Sequence, residues 1–173
     1  MTQELTDLRA SILEGRYADA LAIVDELEGM SKKEILRKIK SFLRVLLIHL
    51  IKNQVEQRLT GSWVSSIRVA LEEVQEINLK ENKTSYYVSS DEWATLLEEE
   101  VMEKAIAGAS EEVMGGRFSR AQLSEIVDKP QVIQTATRLL GLTQTYSAKE
   151  LPAILDEYLA QLPAGEDWLN RHS

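Results

Sequence analysis

Residues 35–57 read ILRKIKSFLRVLLIHLIKNQVEQ, and positions 43–52 within them form the most apolar run in the chain. Ile35, Ile39, Phe42, Leu43, Leu46, Leu47 and Leu50 recur at three- and four-residue spacing, the period of one helix face. Val45, Ile48 and Val55 fall on another side. A helix that is apolar nearly all round has to be enclosed by other helices. The sequence therefore predicts an all-α helical bundle of about seven to eight helices around a central helix at 33–58.

The same stretch concentrates positive charge. Between Lys32 and Arg68 stand nine basic residues and two acids, Glu34 and Glu56, so this segment carries +7 in a chain whose net charge is −8. The remainder must carry −15, and its helices are expected to pair with the central one. Otherwise composition is ordinary for a globular protein: 44% hydrophobic, with eight Gly and three Pro. At 173 residues one domain is expected, able to bury about 70% of its unfolded surface without a staple.

Helix signals mark the rest of the chain. Thr2 is a candidate cap for a first helix ended by Gly15. A second is expected from Tyr17 to Glu28, stopped by Gly29, and Ser31 with Glu34 reads as a capping box opening the central helix. Thr60-Gly61 ends that helix, and Ser62 is a candidate cap for the next, whose stripe is Trp63, Ile67, Ala70, Leu71, Val74 and Ile77. Residues 79–89, LKENKTSYYVS, have no helical period and predict the longest loop. Ser89 and Glu92 form a second capping box before a helix at 91–114 that ends at Gly115-Gly116. Three shorter helices follow: 119–127, then 128–140 with Gly141 behind it, then 151–162 with Pro152 in its first turn. This predicts a bundle core at 1–116 and a helical extension at 117–173 packed on the same domain.

The pieces ILEGRYAD (12–19), DELEGMSKKE (25–34) and FLRVLLIHLIK (42–52), then Arg58 followed by SWVSSI (62–67), carry a resemblance. In order and spacing they resemble the first half of the bacterial domain-of-unknown-function family 29, which is abundant in cyanobacteria. Where that family has a tryptophan after the lysine, this chain has Asn53. The resemblance covers residues 5–78. It implies an all-helical fold and no known activity, cofactor or catalytic residue.

Chemistry-bearing motifs are sparse. With no cysteine, thiol nucleophiles and thiolate metal sites are excluded. The Glu-x-x-His pairs of helical di-metal sites are absent, because Leu46 and Leu169 stand three residues before His49 and His172. There is no P-loop, GxGxxG or GxSxG. No catalytic residue, metal or cofactor is assigned. His49 could serve as a general base beside Lys52, Arg44 or Glu56. The alternative is a core histidine bonded to a neighbouring carboxylate such as Glu28 or Glu73. Lys33, Arg37, Lys40 and Arg44 make a basic ridge. With His49, Lys52 and Arg58 they form the candidate binding or polar cluster. Residues 122–142 have the outline of a helix-turn-helix, for which an αα-hairpin is the plainer reading.

The N-terminus has neither the basic nor the apolar region of a signal peptide, and no run reaches the ~20 apolar residues of a membrane span. The expectation is a cytoplasmic, non-enzymatic protein-interaction or scaffold module with a protein partner or self-association and no membrane contact. The alternatives are a nucleic-acid-associated protein using residues 32–68, which the acidic surplus disfavours, and an enzyme centred on His49.

Overall fold

The computed structural model describes the backbone of residues 2–172 and the side chains of residues 3–171. The expected cap at Thr2 and the side chain of His172 lie outside these. Along the chain run α1 (Thr2–Leu13), α2 (Tyr17–Glu56), α3 (Gly61–Asn78) and α4 (Trp93–Leu96). A π turn (Leu97–Val101) leads into α5 (Met102–Ser110), and a 3-10 turn (Val113–Gly115) follows. Then come α6 (Arg120–Ile126), α7 (Lys129–Thr145), α8 (Leu151–Leu159) and α9 (Gly165–His172).

 Counting α4, the π turn and α5 as one rod gives eight helices, and no named strand occurs among the described residues, so the fold is all-α as the sequence predicts.

Several helix ends differ from the sequence expectation. Gly29 does not stop a helix and Ser31 does not open one: α2 runs unbroken through both. A glycine in a helix interior costs only about 1 kcal/mol relative to alanine, and strong formers (Leu27, Glu28, Lys32, Lys33, Glu34) flank it. Asp25, Glu26 and Glu28 therefore sit mid-helix, away from any unfavourable C-terminal dipole. Thr60, not Ser62, caps α3, its hydroxyl accepting from the Trp63 N–H at 3.1 Å. Gly141 lies inside α7, which continues to Thr145. Ser119 and Asp128 cap α6 and α7 as expected. Ser89 and Glu92 complete only half of a capping box: the Ser89 N–H donates to Glu92, but no side chain caps α4. The helix expected at 151–162 is α8, Leu151–Leu159, and α9 was not anticipated.

Contacts divide the chain within α2, into residues 1–38 and residues 39–173. In the first unit, α1 and the N-terminal part of α2 form a helical hairpin. Gly15, at φ 73°, makes its turn, and Arg16 bridges Glu14 and Asp19 there. Ser11 and Ala20 are buried, but Leu5, Ile12, Leu13, Tyr17, Leu21 and Met30 are exposed.

The second unit is a bundle around the C-terminal part of α2. Ile39, Leu43, Leu46, Leu47, Leu50 and Ile51 are buried there. At Gly108 of α5 an added Cβ would come within 2.8 Å of Ile48 Cδ1, so the two helices meet where a side chain is missing. The π turn adds a residue between two buried sets, Trp93, Leu97 and Val101 leading up to its end and Met102, Ala105, Ile106 and Ala109 after it. It absorbs a register shift that a regular helix would turn into an exposed apolar residue. Glu98, Glu99 and Glu100 stay outside. α7 packs on α3 and α4, and α8 on α3 and α7.

The loop after α3 is tied to that helix by its last residue. Buried Asn78 donates from Nδ2 to the Val88 carbonyl at 2.9 Å and accepts from the Val88 N–H at 2.8 Å. Beside it Leu79 and Tyr86 form a single antiparallel bridge.

Candidate functional site

α2 ends at Glu56, and Gln57 takes a left-handed conformation (φ 54°) that turns the chain toward α3. Asn53, buried one turn before the end, holds this corner. Its Nδ2 donates to the carbonyls of Arg58 at 3.0 Å and Pro163 at 2.9 Å. The amide thus ties the corner to the turn between α8 and α9.

Two cations flank Trp63 in this corner. Lys52 Nζ lies 4.7 Å and the Arg58 guanidinium 4.8 Å from the centre of its ring, within cation–π range. Each cation also has a carboxylate. Lys52, with 9% of its side chain exposed, meets Glu112 at 3.1 Å, and Arg58 Nε donates to Glu56 at 2.9 Å. Glu56 Oε2 in turn accepts from the Met114 N–H at 3.3 Å. Two cations flank one indole and each meets a carboxylate, so the corner is charge-balanced and its polar atoms are directed at one another.

His49 stands one turn from Lys52. Its Nδ1 is 2.8 Å from the Val45 carbonyl. A carbonyl can only accept, so Nδ1 carries the proton in the neutral ring. The partner is thus the histidine's own helix, not Glu28 or Glu73. Burial holds His49 below its ordinary value of 6.5; the Val45 bond opposes this, Lys52 adds to it, and Glu112 opposes it. A depressed histidine value means that the unfolded chain binds more protons. The resulting stability is complete above about pH 6.5 and is lost as the pH falls through the folded-state value. Urea unfolding from pH 7.5 to 5 is expected to give a stability that falls toward acid, with a shallower slope in His49→Gln.

The other basic candidates do not converge. Lys40 pairs with Glu100 at 2.7 Å across to the π turn, and Arg37 pairs with Glu34 at 3.3 Å on its own helix. Arg68, outside the candidate set, lies 3.7 Å from Asp156. Lys33 and Arg44 are exposed and form no ion pair among the described residues. Three acids from outside residues 32–68, Glu100, Glu112 and Asp156, thus meet cations of the +7 segment; Glu34 and Glu56 are already counted within it. Lys52, Arg58 and His49 do gather at one end of α2. Sequence reasoning placed Trp63 in the apolar core, named Glu56 only as a possible neighbour of His49, and overlooked Asn53 and Glu112 as members of that corner. The available signal was the resemblance itself, because Lys52, Arg58 and the Ser62-Trp63 pair all belong to the pieces that carry it.

Among the described residues no group of three or more His, Asp or Glu side chains could hold a metal ion, and no helix is long and apolar enough to cross a membrane. The family model of the domain of unknown function DUF29 matches residues 3–113. Comparison with curated proteins and with solved structures finds no match.

Proposed function

We propose, from the premise that the chain belongs to the DUF29 family, that it is a non-enzymatic cytoplasmic interaction module that self-associates through its N-terminal hairpin. The observation that carries this reading is the exposure of Leu5, Ile12, Leu13, Tyr17, Leu21 and Met30, between 48% and 80%, on the two helices of residues 1–38. Two helices cannot enclose a core by themselves, whereas two hairpins packed together make a four-helix bundle.

Area and charge both suit a second copy as the occupant. Six such side chains leave on the order of 400–500 Å² of apolar surface in water. Interfaces are roughly 60% apolar, so this matches the apolar share of the ~800 Å² per partner that a standard interface buries. Residues 1–38 carry six basic and eight acidic side chains, a net charge of −2 that opposes homotypic pairing only weakly. Arg16 is already paired with Glu14 and Asp19.

The test is a Leu13→Glu, Leu21→Glu variant studied by light scattering after gel filtration. Wild-type chain is expected as a dimer and the variant as a monomer of 19.6 kDa with unchanged helical circular dichroism. A wild-type monomer at every concentration would remove the reading.

A further inference from the structure

An open cavity of about 480 Å³ lies where α3 and α7 end.

 

Its walls include Glu72 and Glu76, one turn apart on α3, together with Tyr86 and Tyr146. No lysine, arginine or histidine lines it. Neither glutamate has a hydrogen-bond or ion-pair partner among the described residues.

The surrounding backbone adds to this negative potential. α3 ends at Asn78 and α7 at Thr145, and neither has a basic residue in its last turn. Each helix therefore brings about half a negative charge to the cavity edge. The Gln75 Nε2 donates to the carbonyls of Thr143 at 3.1 Å and Tyr146 at 2.8 Å, which satisfies them without adding positive charge. The Ser147 N–H before α8 already donates to the Glu150 carboxylate at 3.0 Å. Carboxylates, helix C-termini and tyrosine rings all favour a cation, and the volume lies within the ~300–1,000 Å³ of small-ligand sites.

We propose that this cavity binds an alkylammonium group. Glu72 and Glu76 supply the countercharge, and Tyr86 and Tyr146 supply aromatic surface for the methylene or methyl groups beside the nitrogen. The proposal is independent of self-association through the hairpin. The ammonium can come from a free amine or from the lysine side chain of a bound peptide.

The test is calorimetric titration of the full chain at low salt with spermidine, with a tripeptide Gly-Lys-Gly blocked at both ends, and with the uncharged tert-butanol. Saturable binding of spermidine or of the peptide is expected, the tighter of the two identifying the source, and none of tert-butanol. Glu72→Gln with Glu76→Gln is expected to weaken binding at least about tenfold, with the thermal melting of the chain unchanged. A control, Glu98→Gln with Glu99→Gln, removes equal charge elsewhere and is expected to leave binding intact. No saturation by either amine, or equal weakening in both double variants, would overturn the proposal.

Discussion

A chain ending at Gly116 is expected to lose the cooperative unfolding transition of residues 39–173. The missing part supplies eleven buried apolar side chains: Leu123, Val127, Val132, Ala136, Leu139, Leu140, Leu142, Leu151, Leu155, Leu159 and Trp168. Each large side chain buried contributes about 1.5–3 kcal/mol before chain entropy is counted, and the apolar surface they cover in residues 39–116 would be left in water. Their loss would also strip cover from α3 and α4, on which α7 packs. Circular dichroism in urea is the check. The expected result is reduced helicity and a broad, uncooperative curve. A sharp transition near the full-length midpoint would show that residues 117–173 contribute nothing to the core.

Trp93→Ala is expected to be the most damaging single substitution. The side chain has no solvent exposure and is the largest of the fully buried ones. Its Nε1 donates to Gln144 Oε1 at 3.1 Å, while the Gln144 amide donates to the Val88 carbonyl at 3.0 Å. The indole thus joins α4 to α7 and to the loop after α3. Truncation to alanine is expected to lower stability by about 3–5 kcal/mol, through lost burial and the cavity left behind. Trp93→Phe should cost less, since it keeps most of the packing and forfeits the hydrogen bond. Urea midpoints at a constant slope measure both. Equal midpoints for wild type and Trp93→Ala would contradict the burial of this side chain.

What the sequence made legible follows from the range of the forces involved. The 3.6-residue apolar period of Ile39, Leu43, Leu46 and Leu50 is local, and so are the caps at Ser119 and Asp128; all appear where expected. Gly29 misled because a residue that disfavours helix by about 1 kcal/mol cannot interrupt a segment whose neighbours all favour it. The π turn has no local signature, being set by which side chains of residues 93–109 must face the bundle. The Trp63 corner depends on partners far apart in the chain: Lys52 and Glu112 are 60 positions apart, and Asn53 and Pro163 are 110. Spacing could identify Lys52 and Arg58 as basic but could not supply the carboxylates that meet them. α9 was missed because Pro163-Ala164-Gly165 reads as a stop, whereas Ala164 at φ 61° turns the chain into another helix.

Self-association through residues 1–38 is the central functional claim, and the exposed leucines provide its most direct test. Isotope-filtered nuclear Overhauser spectroscopy on an equal mixture of labelled and unlabelled chain detects only contacts between copies. Cross-peaks linking the methyl groups of Leu5, Ile12, Leu13 or Leu21 in one copy to apolar protons of the same hairpin in another are expected. Their absence, at concentrations where the chain sediments as a single species of 19.6 kDa, would contradict it.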